Sequence, residues 1–330
     1  MVNNIYLGSR DVTFDVMKAI ALFLMVAGHT VGPESPLHNY IYTFHMPLFF
    51  ILSGYFAKKK GTIENISLLY DRLIKPYFFL CVTVLLLKTL VFYHNHHSLL
   101  FDWEIALYGV GPGWFLLAMF WGRIIFNTLI GLPPKKYLII SFFISSFPTI
   151  LQWMDLYINI PFCFMQGLSC TIFIATGYFV RQKGILLHLE KHMWIVVIIS
   201  LLFWLNTSIN GEIEMSACSY KLWVADYLGA FGGTFLCYSI AKLISTHALR
   251  VATVITEVSI FSLAIYSFHT IDFCVHFWHH LSPIVSPKYM VITILILRWM
   301  FFYPIIKITA HTPFLHLLFV GKPKMNNSNQ

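Results

Sequence analysis

Three histidines of this chain, His29, His45 and His269, each fall towards one end of a long apolar stretch. Histidine titrates near neutrality and is the commonest general base, so a convergence of the three would suit removal of a proton from a hydroxyl. Each one also has a bland reading, because polar aromatic rings favour membrane interfaces on structural grounds alone. The stretch that carries His29 also carries Asp15 and Lys18. On an ideal helix eleven residues turn by about 1,100°, which puts Lys18 and His29 within about 20° of one face and roughly 16 Å apart. Asp15 lies one turn below Lys18 on that stripe, so the helix would bear a polar track over most of its length. Elsewhere, Arg72 and Lys75 in DRLIKPYF close a basic loop that includes Lys58, Lys59 and Lys60. Arg offers bidentate contacts and Lys a point charge to the phosphates of a soluble cofactor. Topology signal and headgroup contact explain the three consecutive lysines as well.

The elements that must position these residues follow from composition. Of the 330 residues 58% are hydrophobic and 11% charged, with mean hydropathy +0.72. A soluble domain of this size cannot hide so much apolar surface, so the bilayer is part of its solvent. That excludes a cytoplasmic globular enzyme and a disordered scaffold. The formal charge of +8 does not mark a nucleic-acid binder, because the cations sit in alternate loops. A window of about 20 residues per span predicts an all-α integral membrane protein of ten helices in one bundle. They lie near 12–31, 39–57, 76–93, 113–131, 137–153, 160–180, 193–209, 222–244, 252–271 and 289–310. One set of loops holds Lys58, Lys59, Lys60, Arg72, Lys75, Lys135, Lys136, Arg181, Lys183, Lys191, Arg250, Lys322 and Lys324; the other holds Glu34, Asp102, Glu104, Asp155, Glu212 and Glu214 beside Lys221, then only Lys288. The positive-inside rule then places both termini in the cytoplasm and the three histidines at one depth on the opposite side.

The first stretch lacks a basic start and a cleavage site, so it is expected to remain as a helix and not to be removed as a signal peptide. No linker or repeat divides the chain, which reads as one domain over 1–320 with a polar tail over 321–330. The six cysteines have no metal-ligand spacing and read as buried apolar groups. Charges retained in a bilayer are functional candidates by default; Lys88, Arg123 and Arg298 join Asp15 and Lys18 on that ground. Histidine sets at 94, 96 and 97 and at 276, 279 and 280 could hold a metal on one helix face. No cysteine or second carboxylate joins them, and no metal is expected. Ser53, deep in an apolar segment beside Gly54, reads as a close-packing position rather than a nucleophile.

These residues also carry a family resemblance. KAIALFLMVAGH, from Lys18 to His29 with Asp15 before it, resembles the basic-x10-His signature of the membrane acyltransferase 3 family. FHMPLFFILSGYF (Phe44 to Phe56), RLIKPYF (Arg72 to Phe78), GPGWFLLAMF and IYSFH are similar to further motifs of that family. The resemblance implies a multi-pass enzyme of the bacterial cytoplasmic (inner) membrane. Its family moves an acyl group, usually acetyl, from cytoplasmic acyl-CoA to a hydroxyl of a glycan or lipid-linked saccharide. The second motif is closest in wording to fucose, capsule and O-antigen acetylases. This sequence departs from many members in having Lys at 18 and 75 where Arg is common, and no fused esterase-like domain is expected.

Joined, the two readings predict acetyl-CoA bound through its phosphates on Arg72 and Lys75, with its arm rising past Asp15 and Lys18 to His29. His29 would act as base. His45, Trp114, Tyr266 and His269 would line the acceptor side. Membrane lipids are expected neighbours, nucleic acid is not, and a homo-oligomer is compatible with the sequence. The rival from another class is a proton-coupled exporter of a saccharide or amphiphile, with Asp15, Lys18 and the histidines as a relay. Against it stands the lack of an internal repeat.

Overall fold

Asp11 starts the first helix by accepting the Thr13 amide at 2.9 Å on its carboxylate, which satisfies one of the donors a helix start leaves open. Helix α1 (Val12–Val31) ends at Gly32, whose φ of +74° is cheap only for glycine. The computed structural model describes residues 11–96, 107–278 and 285–321. Along it follow α2 (Pro36–Tyr42), α3 (His45–Tyr55) and α4 (Thr62–Leu69). A π-helical turn at Tyr70–Ile74 leads into α5 (Lys75–His96). A single tight turn at Gly111–Gly113 opens α6 (Trp114–Leu129), and α7 is Pro134–Trp153. Helices α8 (Phe164–Ser169) and α9 (Thr171–Gln182) belong to a segment bent by 48°. Then come α10 (Ile185–Lys191) and α11 (Met193–Asn210). A small antiparallel hairpin pairs β1 (Ile213–Glu214) with β2 (Ser219–Tyr220). Beyond it lie α12 (Val224–His247), α13 (Leu249–Ile260), α14 (Ser262–Val275), α15 (Pro287–His311) and α16 (Pro313–Phe319). Helices α13 and α14 meet at a bend of 63°.

By length and composition five helices can cross a membrane, or seven if each bent pair is one span. The described residues therefore form an all-α membrane protein apart from the hairpin. The predicted stretches 39–57, 113–131 and 137–153 are also helical. The first is broken between α2 and α3, the second is a helix of 16 residues, and the third presents Ser141, Ser145, Ser146 and Thr149 as buried polar groups.

Helix α1 is the central element. Of its apolar window 61% is buried, against 17% for α11 and for α15, and it touches α2, α3 and each of α12 to α15. A helix so enclosed can hold polar side chains away from lipid. Helices α3 and α9 cross with backbone nearly touching: Gly54 faces the Ile174 carbonyl and Gly177 faces the Ile51 carbonyl, with no room for a Cβ at either. The packing role read for the Ser53–Gly54 pair is the one observed. Arg123 fastens α6 to the same crossing, donating from Nη1 to the Ser53 carbonyl at 2.7 Å and to its Oγ at 3.0 Å. All six cysteines are buried and unpaired. The tail from Lys322, with Asp102 and Glu104, lies outside the described residues, as do the histidine sets at 94–97 and 276–280 in whole or part.

Candidate active site

His29 stands on the last turn of α1, with its Nδ1 2.9 Å from the hydroxyl of Tyr42 at the end of α2. The break between α2 and α3 turns the chain so that His45, the first residue of α3, comes under the same tyrosine, ring centroids 4.8 Å apart. His45 Nδ1–H donates to the Ile41 carbonyl at 2.9 Å, which leaves Nε2 as the unprotonated nitrogen in the neutral ring. His269, from the middle of α14, brings its ring to 5.4 Å from that of His29. It is fully buried, and neither of its nitrogens has a hydrogen-bond partner. His38 stacks on Tyr42 at 3.6 Å. The three histidines expected at one depth are thus brought together around Tyr42 and the end of α1.

The turn at Gly111–Gly113 delivers Trp114 to the same place. Gly111 has φ of +48°, and a Cβ there would meet the Cys274 sulfur at 2.8 Å. Tyr266 donates its hydroxyl to the Pro112 carbonyl at 2.5 Å. The GPGW and IYSFH segments, more than 150 residues apart, are therefore joined by one hydrogen bond.

Together these elements enclose a cavity of about 640 Å³ whose walls include His29, His38, Tyr42, His45, Trp114 and Tyr266. That volume suits a small organic substrate. His269 is not in the wall. Lys18 lines a second cavity, of about 90 Å³, that shares Met25, Met46 and Tyr266 with the first. The polar track is therefore divided: Lys18 and His29 serve adjoining spaces, whereas Asp15 is 7% exposed and accepts a 2.8 Å hydrogen bond from Ser259 of α13.

Arg72 and Lys75 are not brought to either cavity. They stand exposed where the π-turn runs into α5, and Lys75 pairs with Asp71 at 2.6 Å. On the same basic side Arg181 donates to the Ala57 carbonyl at 2.6 Å.

Known proteins can be set beside this geometry. The family described as Acyltransferase domain, acyltransferase 3, matches residues 11–319. The chain belongs to the acyltransferase 3 family. It is 36% identical over 129 residues to the Nodulation protein NolL of Sinorhizobium fredii, covering 34% of each chain. It is 25% identical over 205 residues to the Nodulation protein NolL of Mesorhizobium japonicum, covering 58% of this chain and 54% of that one. The chain thus spans about a third and about half of the lengths of these two relatives. No solved structure matches.

Several residues around this candidate site were given no role in it from sequence. Arg298 of α15 pairs through Nε with Asp272 of α14 at 2.7 Å and donates from Nη1 to the Thr30 hydroxyl at 2.6 Å, one residue from His29. Arg298 was recognisable as an intramembrane charge, whereas Asp272 had only a histidine set for context. Gln166, Glu212 and Glu214 also line the large cavity. No spacing rule connects them to α1, since they come from α8 and from the hairpin. Burial pushes the Cys218 thiol of that hairpin up to about 12, so it stays protonated and is no nucleophile. Among the described residues no three histidine, cysteine or carboxylate side chains gather as a metal site.

Proposed function

We propose that this multi-pass acyltransferase moves an acetyl group from cytoplasmic acetyl-CoA to a hydroxyl of an envelope or exported carbohydrate. It would cross the bacterial inner membrane ten times with both termini in the cytoplasm. The observation that carries the reading is the adjoining pair of cavities: a narrow one at Lys18 shares three residues with a wide one at His29. A thioester arm needs such a passage from the basic side, and a sugar needs such a chamber on the other. The two Nodulation protein NolL relatives and the family match support transfer to a carbohydrate. Membership of an acyltransferase family leaves the exporter reading without support.

In this reading the sugar hydroxyl enters beside His29. The step uses the tautomer of His29 in which Nδ1–H donates to Tyr42, so that Nε2 is the nitrogen free to take the hydroxyl proton as the oxygen attacks the thioester carbonyl. Collapse of the tetrahedral intermediate breaks the carbon–sulfur bond, and the departing thiolate of coenzyme A recovers the proton from His29. The sugar leaves as its acetyl ester and the imidazole is neutral again. His45, Trp114 and Tyr266 hold the acceptor, and His269 backs the ring of His29. Arg72 and Lys75 meet the phosphates of the donor at the cytoplasmic mouth, for which Lys75 must exchange Asp71 for the ligand.

Thermal unfolding of the detergent-purified protein tests this without an acceptor. Binding to the native state raises the midpoint by mass action. Acetyl-CoA should stabilise wild type and His29→Ala but not Arg72→Ala. No shift of monodisperse wild type at millimolar acetyl-CoA would sink the donor assignment.

A further inference from the structure

One wall of the chamber is the hairpin between α11 and α12, and it is held on several sides. Gln166 Nε2 donates to the Ser216 carbonyl at 2.7 Å, and Thr149 Oγ1 donates to the Cys218 carbonyl at 2.9 Å. The Leu222 amide donates to Asp226 at 2.8 Å, and the Lys221 amide returns to the Glu212 carbonyl at 3.2 Å. At its root Gly211 sits so tightly against Asp226 that no Cβ fits. Strand β1 also packs on α2, which carries His38 and Tyr42. The hairpin is therefore a fixed part of the chamber and not a loose flap over it.

Beside Ile213, Met215 and Ser216, what it offers the chamber is a pair of carboxylates. Glu212 and Glu214 both line the cavity, and none of its described lining residues is Lys or Arg. Glu214 Oε1 accepts from the Ser216 amide at 3.2 Å and from its hydroxyl at 2.5 Å, which fixes the carboxylate. Gln166 is 5% exposed, and its Oε1, in the same cavity wall, has no hydrogen-bond partner. A buried amide oxygen left without a donor is costly, and a ligand that donates to it removes that cost. Two carboxylates and one amide oxygen are all acceptors. They match a ligand rich in hydroxyl donors and repel one that carries a carboxylate, sulfate or phosphate at this wall.

We infer that Gln166, Glu212 and Glu214 form the acceptor subsite and confine the enzyme to uncharged, polyhydroxylated sugars. This rests on the acetyl-transfer reading above. The test uses the full chain in detergent, labelled acetyl-CoA, and two trisaccharides of equal length, neutral fucosyllactose and anionic sialyllactose. Wild type should acetylate the neutral sugar with kcat/KM at least about tenfold above the anionic one. Glu214→Gln and Gln166→Leu should each raise KM for the neutral sugar about tenfold, as loss of a charged or buried hydrogen bond does, with kcat within about twofold. Charge reversal in Glu212→Lys/Glu214→Lys should narrow the preference about tenfold at low salt.

Folding is monitored by the acetyl-CoA thermal shift in each variant. Equal use of both sugars by wild type, or unchanged KM and preference in the variants, overturns the subsite. Transfer to neither sugar while acetyl-CoA still protects the protein overturns the subsite and leaves the donor reading standing. Loss of protection in wild type removes both.

Discussion

Replacing Asp272 by Asn leaves the guanidinium of Arg298 buried without its counter-charge. The two side chains are 13% and 9% exposed, and their Nε–Oδ2 distance is 2.7 Å. Removing one partner of a pair so enclosed costs about 3–5 kcal/mol, because the remaining charge loses compensation that water cannot restore. The figure should lie in that range and not below it, since Arg298 is also tied by Nη1 to Thr30, whose own hydroxyl donates to the Val26 carbonyl at 2.6 Å. The guanidinium cannot swing out without breaking both contacts. Removing both charges together, in Asp272→Leu/Arg298→Met, should recover most of the loss, for a well-packed apolar pair replaces a buried ion pair at little or no cost. Unfolding in mixed micelles of graded denaturing detergent, for wild type, both single variants and the double, yields the coupling energy. If Asp272→Asn unfolds within about 1 kcal/mol of wild type, the pair is neither enclosed nor fastened. If the double variant is as unstable as the singles, packing and not charge governs the site.

Two further outcomes are expected. Tyr42→Phe removes the hydroxyl that meets His29 Nδ1; one neutral hydrogen bond is worth about 0.5–1.5 kcal/mol, so kcat should fall roughly two- to twelvefold with KM for acetyl-CoA unchanged, and an unaltered kcat and pH profile would remove Tyr42 from the orientation of the base. On α10, the hydrogen bond from Tyr238, with further help from Lys242 at 3.1 Å, holds the Glu190 carboxyl below its ordinary range. A carboxylate depressed in the folded state contributes stability that is present above its unfolded value of about 4.3 and is lost as pH falls through the folded one. The thermal midpoint should therefore drop less between pH 7 and pH 4 in Glu190→Gln than in wild type, and identical slopes would count against the contact.

Much of the positioning was legible because it is local. The eleven-residue interval between Lys18 and His29 is a property of one helix, so helical geometry alone sets both on one stripe. The structure lines adjoining cavities with them. Gly54 announced close packing through its lack of a Cβ, and Gly177 answers it from α9. Asp15 followed the same periodicity but engages Ser259, because α13 lies against that part of α1, and nothing in one helix says which neighbour covers it. Arg72 and Lys75 were legible as a basic cluster, yet their distance from any cavity depends on how α5 is set in the bundle.

Hydropathy and charge, summed over windows, were enough to determine that this chain is a helical membrane protein and which polar groups a bilayer would not tolerate without a reason. The family signature lay within single helices and was readable for the same cause. Only the tertiary structure decided that Arg298 meets Asp272, that Tyr42 joins His29 to His45, and that a hairpin bearing Glu212 and Glu214 lines the same chamber. Those are contacts between elements whose rotation and depth depend on side-chain packing across helices, and inside a membrane that packing has no hydrophobic pattern to betray it, because lipid and protein interior are equally apolar.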